Sequence, residues 1–183
     1  CAFKCDNEPV DFDLSTLNIN PKLLGEWYLV EFNAEVSYIP QTENQAITET
    51  RVFSTASVFT ITFDNDNYRV RGDYTYNSRI KINGIENTSN FYTNNDIDST
   101  HGYTLNNNEV LFEESLFDIT TQEANTLFLQ GEQTSDFEVS ENGQYLIFFQ
   151  NETLTDSQQM VPDGFNITKR TSSIWTKDFT SFS

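Results

Sequence analysis

Basic side chains are scarce in this chain, which has 10 lysine and arginine residues against 28 aspartate and glutamate residues. The formal net charge of −18 repels nucleic-acid phosphates and anionic membrane surfaces, so we expect no nucleic-acid partner. The acidic residues are spread through the turns and do not form one long run. This distribution favours a solvated acidic surface over a specific cation-binding face.

Histidine and cysteine are almost absent, which limits the available chemistry. His101 is the single histidine, so a zinc site with several imidazole ligands is impossible. A catalytic triad would have to use His101, and no Gly-x-Ser-x-Gly motif accompanies it. The two cysteines, Cys1 and Cys5, both lie in a polar leader. We therefore predict a protein that is not an enzyme and has no cofactor or bound metal.

Long apolar runs and helical periodicity are also missing. No run approaches the roughly 20 apolar residues of a transmembrane helix. Residues 114–124 are the best candidate for a helix, but the β-branched run from Ile119 to Thr121 argues against one. The 183 residues suit one domain, and that domain must be built mainly from strands.

Alternation of apolar and polar side chains begins beyond Leu23 and is typical of half-buried strands. Phe59–Phe63 places three apolar side chains on one face, and Tyr68–Tyr76 repeats the pattern after a polar turn, which predicts a hairpin. Many short strands at regular spacing indicate an all-β antiparallel up-and-down barrel of about eight to ten strands. We expect residues 23–183 to form this barrel with a C-terminal tail, and residues 1–22 to be a flexible tether.

One aromatic face of the predicted hairpin is the main candidate for a binding site. It is either packed core or the wall of a cavity. Tyrosine hydroxyls inside a barrel need a partner or water, and a pocket with an apolar wall and a few polar tips provides both. The predicted ligand is a small apolar or amphipathic molecule. The candidate ligand-binding residues are Phe59, Ile61, Phe63, Tyr68, Val70, Tyr74 and Tyr76.

The first strand opens with Gly25-Glu26-Trp27, which resembles the Gly-x-Trp motif of the lipocalins. The resemblance implies a barrel that binds a small ligand, with Trp27 closing its base and a basic residue of the last strand packed across the indole. Arg170, beside Lys169, suits that role by a cation–π contact. The resemblance also implies a large first loop over the mouth of the barrel. We expect that loop between Asn33 and Ser57.

The N-terminal segment resembles the leader of a processed bacterial lipoprotein of the Bacteroidetes group. Cys1 stands first, and Lys4, Asp6 and Glu8 follow closely. The resemblance implies a lipid on Cys1, membrane attachment by this anchor alone, and a place in the bacterial cell envelope at the outer membrane. A local disulfide between Cys1 and Cys5, or a chain that merely starts here, stays open as an alternative.

Two further interpretations stay open. Tyr92, Tyr103 and Trp175 are aromatic candidates for a non-catalytic surface that binds a glycan or a partner protein. The tail from Ile174 to Phe179 is apolar enough to dock on the barrel instead, which would bury Trp175. The oxygen-rich stretches Asp64–Asn67 and Asn94–Asp98 are either calcium loops or ordinary Asx turns. Neither stretch has the spacing of an EF-hand loop.

Overall fold

The computed structural model describes residues 20–119, 129–155 and 161–179, of which 71% lie in strands. Each strand pairs antiparallel with its neighbours in the chain, and the last strand pairs with the first to close a barrel. The predicted all-β up-and-down barrel is therefore confirmed, with eight strands. They are β1 (Gly25–Pro40), β2 (Thr48–Phe63), β3 (Asn67–Ile82), β4 (Ile85–Asn106), β5 (Glu109–Phe112), β6 (Gln133–Val139), β7 (Tyr145–Leu154) and β8 (Phe165–Thr176).

Residues 1–19 lie outside the described part of the chain, so the tether and the lipid anchor on Cys1 stay predictions. Within the described part, no helix is long and apolar enough to cross a membrane.

The predicted long first loop is wrong. β1 runs past Asn33 to Pro40 and β2 begins at Thr48, so residues 41–47 make the connection. The two strands stay paired because Ala34, Val36 and Val52 are buried. The apolar–polar alternation of a strand in fact continues through this stretch, but it is carried by the small residues Ala34 and Val36 and is easily overlooked. The long connection instead follows β5, where residues 113–132 separate it from β6.

The predicted hairpin of β2 and β3 is confirmed, with Phe63 opposite Tyr68 across the turn. Tyr68 and Tyr74 point inward, whereas Arg69 and Arg71 point outward, as the alternation predicts. We call the end of the barrel with this turn the base and the opposite end, with residues 41–47, the rim.

The barrel wall is uneven because β5 has only four residues. β4 has 22 residues and pairs with β3 along most of its length, but it pairs with β5 only over Tyr103–Asn106 near the base. Toward the rim, the space beside β4 is crossed by residues 113–119. We call these residues the insert segment, and they shape the candidate site.

Gly72 lies where the backbones of β2 and β3 approach closely. Its φ is +116°, and a Cβ there would lie 2.0 Å from the carbonyl oxygen of Val58. Because backbone cannot move aside cheaply, we expect Gly72→Ala to lower the free energy of unfolding by about 2–4 kcal/mol. Gly25 is the matched control, with a similar φ of +102° but open space around it. Urea unfolding of both variants measures the difference, and equal losses would contradict the close approach.

Candidate functional site

All seven predicted ligand-binding residues lie in the barrel interior, and none is more than 3% exposed. They come from β2 and β3, and their rings pack on one another. The ring centroids of Phe59 and Tyr74 are 4.9 Å apart, and those of Phe63 and Tyr68 are 6.3 Å apart. We call these seven residues of β2 and β3, five of which are aromatic, the aromatic half of the interior.

The tyrosine hydroxyls of this aromatic half are bonded to the insert segment. Tyr68 donates to the backbone carbonyl of Glu114, and Tyr74 donates to that of Asp118 at 2.8 Å. The side-chain amide of Asn94, on β4, donates to the Tyr74 hydroxyl at 2.7 Å. β3 and β4 therefore hold the insert segment against the opening of the barrel wall.

Phe117 projects from the insert segment into the barrel. Its ring stacks on Phe32 at a centroid distance of 4.1 Å and on Trp175 at 5.9 Å. It also meets the edge of Tyr74 at 5.7 Å. The side chain thus fills the middle of the interior. This position could not be predicted from the sequence, because nothing in the local pattern marks a loop phenylalanine as an interior residue.

A cavity of about 50 Å³ lies between the insert segment and β1, β6, β7 and β8. One side is apolar and the other carries amides and hydroxyls. Phe32, Phe117 and Phe148 belong to the apolar side. The remaining lining residues are Asn33, Ala34, Phe112, Ser115, Leu116, Ile119, Leu129, Gln133, Ser135, Gln150, Thr171, Ser172 and Ser173.

The polar side of this cavity is one hydrogen-bond network. Gln150 donates to the side-chain oxygen of Gln133 at 3.2 Å and to the carbonyl of Thr134 at 2.7 Å, and Thr171 donates to Gln150 at 2.8 Å. Lys169 donates to the same Gln133 oxygen at 3.1 Å.

Lys169 also forms an ion pair with Glu152, at 3.0 Å. Its side chain is only 7% exposed, so its charge is held beside the network and away from bulk water. From the sequence, this lysine was expected only as a neighbour of Arg170 at the base of the barrel.

An open cleft of about 350 Å³ lies on the other side of the insert segment, against β4. Val70, one of the seven predicted residues, lines it together with His101 and Ile97. Ser115, Leu116 and Phe117 line both the cleft and the interior cavity, so these three consecutive residues form the partition between them.

Trp27 lies at the base with its ring fully buried, and its indole N–H donates to the carbonyl of Leu23 at 2.8 Å. The cation over this ring is Lys177, whose Nζ is 4.6 Å from the centroid. The prediction for Arg170 is wrong, because β8 continues past it to Thr176 and pairs Arg170 with Glu35, far from the base. Gly25 begins β1 with a φ of +102°.

The Lys177 contact gives a direct test of the base. We expect Lys177→Met to lower the free energy of unfolding by about 0.5–1 kcal/mol, the size of an exposed cation–π contact. Arg170→Met is the control and should change it by less than about 0.5 kcal/mol. Chemical unfolding measures both free energies. A larger loss of unfolding free energy in Arg170→Met than in Lys177→Met would contradict the assignment of Lys177 as the cation over Trp27.

The aromatic candidates for a surface site are not displayed on the surface. Trp175 is fully buried and donates its indole N–H to Ser173 at 2.8 Å, and Tyr103 is 9% exposed. Tyr92 is half-buried and stacks on Tyr76 at 5.1 Å. The interpretation of Trp175 and Tyr103 as exposed contact residues is therefore wrong, because both pack into the barrel core.

The first oxygen-rich stretch is an Asx turn. The carboxylate of Asp64 accepts the backbone N–H of Asp66 at 3.0 Å and that of Asn67 at 2.7 Å. In the second stretch, the backbone N–H of Asp96 donates to the carboxylate of Asp73 at 2.7 Å. Over the ranges that the structure describes, no three histidine, cysteine or acidic residues form a metal-binding group.

Burial raises the pKa of the interior tyrosines. The pKa of Tyr68 and of Tyr74 lies well above the usual 10.0, because desolvation opposes the charged phenolate. The same cause raises the pKa of Tyr103 to about 12, with a smaller contribution from the negative charge of Asp64. The folded barrel therefore keeps these hydroxyls protonated, as hydrogen-bond donors require.

These shifts predict alkaline destabilisation. Unfolded tyrosine ionises near pH 10 and Tyr103 in the barrel near 12, so the stability that it contributes is complete below pH 10 and is lost as the pH rises through 12. We expect Tyr103→Phe to reduce the slope of unfolding free energy against pH above pH 10. Identical slopes for the wild type and Tyr103→Phe would contradict this assignment.

The chain matches no protein-family model, no curated protein and no solved structure. The lipocalin and lipoprotein resemblances therefore stay predictions from the sequence.

Proposed function

We propose that this protein is a non-catalytic binding protein that holds a small amphipathic molecule inside the barrel. One observation carries the proposal: an apolar side that includes Phe32, Phe117 and Phe148 and a hydrogen-bonding side meet at the interior cavity, whereas the seven residues of the aromatic half lie outside its lining. Small-molecule sites combine an apolar wall with a few oriented polar groups in this way. The apolar part of the ligand would lie against Phe32 and Trp175, and its polar part against Ser135 and Thr171.

The energetics of the polar half support this proposal. Burying an amide or a charge costs free energy unless every polar atom finds a partner. Gln150 and Lys169 are both more than nine-tenths buried, where apolar side chains of similar volume would avoid that cost. Ligand binding would account for these buried polar residues, because their network holds hydroxyl and amide groups in fixed positions beside the cavity.

The size of the cavity sets a condition on binding. About 50 Å³ accommodates a few water molecules but not a molecule with an alkyl chain or a ring system. Moving Phe117, one of the partition residues, would open this cavity toward the cleft of about 350 Å³, which has the volume of a small-molecule pocket. We therefore propose that the ligand takes the place of the Phe117 ring, which is only partly buried.

A fluorescent fatty acid with a dansyl label is a suitable probe of the proposed site. Saturable binding to the wild type is expected, and Phe117→Ala should bind the probe about three to ten times more tightly, because the space is already vacated. Phe91→Ala is the matched control on the surface, where the ring is 62% exposed, and should bind like the wild type. Titration by fluorescence measures all three proteins.

The absence of saturable binding to both the wild type and Phe117→Ala would contradict the proposal. Equal gains in affinity for the probe in Phe117→Ala and Phe91→Ala would also contradict the proposal, because an effect at the exposed Phe91 would mean that the probe binds the surface.

A further inference from the structure

The polar side of the interior cavity has hydrogen-bonding capacity that the barrel itself does not use. Ser135 lines the cavity and is only 8% exposed, yet its hydroxyl forms no hydrogen bond with any of the described residues. Buried polar side chains are normally paired, so an unpaired one needs an explanation. β6 pairs Asp136 with Phe149, which places the inward-facing Ser135 beside Gln150. The unused hydroxyl therefore faces the cavity next to the hydrogen-bond network.

Two residues of β8 add to this unused capacity. Thr171 donates its hydroxyl proton to Gln150 at 2.8 Å, so the lone pairs of its oxygen remain for another group. Ser173 is 4% exposed and accepts the indole N–H of Trp175 at 2.8 Å, and its own proton has no acceptor among the residues that the structure describes. The cavity thus offers unused O–H donors on Ser135 and Ser173 and an acceptor on Thr171.

The surroundings of the cavity carry no uncompensated charge. Within the described part of the chain, its lining contains no charged side chain. Lys169 reaches the network by donating to Gln133, and Glu152 balances its charge at 3.0 Å. A charged head group buried here would cost free energy that no counterion offsets. The cavity therefore suits a neutral head group.

We infer that the ligand of the barrel has an alcohol head group, which lies in this cavity. A hydroxyl has one proton to donate and lone pairs that accept two hydrogen bonds. It would donate to Thr171 and accept from Ser135 and Ser173, so that all three side chains gain a partner. A carboxylate lacks the proton for Thr171, and an ammonium group lacks the lone pairs that the serine protons need. The cavity of about 50 Å³ is large enough for a hydroxyl and confines it beside these side chains.

This inference rests on the proposed function and names the polar group of its ligand. The apolar part of the ligand would lie where Phe117 now packs, next to the cleft that Glu114, Asp118 and His101 line. The carboxylates of that cleft would attract a cationic head group and repel an anionic one. A preference for an amine over an alcohol would therefore place the head group in the cleft and not in the interior cavity.

Displacement of the dansyl-labelled fatty acid by compounds with the same alkyl chain tests the head group. 1-Decanol is compared with its methyl ether, which accepts hydrogen bonds but has no proton to donate and is more apolar. A purely apolar pocket would favour the ether, whereas we expect 1-decanol to displace the probe at an about tenfold lower concentration. Decanoate and decylamine should also displace the probe less well than 1-decanol.

Ser135→Ala tests the assignment of the head group to this cavity. It removes a hydroxyl without breaking a hydrogen bond within the described barrel, so we expect its unfolding in urea to match that of the wild type. Its affinity for 1-decanol should fall about three- to tenfold. Ser89→Ala is the matched control at an exposed serine of β4, and its affinity should stay within about twofold of the wild type.

Three results would overturn the inference. The first is displacement by the methyl ether at the same or a lower concentration than 1-decanol. The second is tighter binding of decanoate or decylamine than of 1-decanol. The third is an unchanged affinity of Ser135→Ala for 1-decanol. In all three cases the probe still binds, so the proposed function stands, whereas no probe binding to the wild type or Phe117→Ala would contradict both.

Discussion

The hydrogen bonds from the β3 tyrosines to the insert segment are the interaction on which the rest of this structure depends. β5 is too short to extend the wall toward the rim, so the barrel has an opening beside β4. Tyr68 and Tyr74 donate to carbonyls of the insert segment and fix it in that opening. Phe117 then reaches the interior. The cavity, the cleft and the partition between them all follow from this arrangement.

The same arrangement explains why the interior is neither a solid core nor an open calyx. Near the base, Phe63, Phe112 and Phe148 pack ring against ring, and the closing residue Trp27 is fully buried. Farther from the base, the network around Gln150 replaces such rings on one side. An aromatic side chain from a loop fills the space that remains. A residue that comes from a loop can move more readily than one fixed in the sheet.

Much of the fold could be predicted from the sequence, and the errors have physical causes. The β2–β3 hairpin was predictable because its large apolar residues alternate with polar ones, with Gly72 the one gap in the inward-facing series of β3. The end of β1 was missed although the alternation continues through Glu35, because the buried residues there, Ala34 and Val36, are small. The insert segment could not be predicted, since its position depends on contacts with β3 that are distant in sequence. Lys177 was missed because β8 runs farther toward the base than its apolar pattern indicates.

The seven aromatic and aliphatic residues chosen from the sequence illustrate the same limit for the site. Alternation places them inside the barrel, where they lie, but it does not distinguish packed rings from the wall of a cavity. The polar half comes from β6, β7 and β8, and its members are separated by up to 40 positions in the chain, from Gln133 to Ser173. Pairing between these strands, which no local pattern encodes, brings them together.

The most direct test of this account is an NMR measurement of ring contacts in the wild-type protein saturated with the dansyl-labelled fatty acid. The account predicts nuclear Overhauser contacts from the probe to the rings of Phe32 and Trp175, together with loss of the contact between Phe117 and Phe32. A saturated complex in which the Phe117–Phe32 contact persists and the probe contacts neither ring would contradict it.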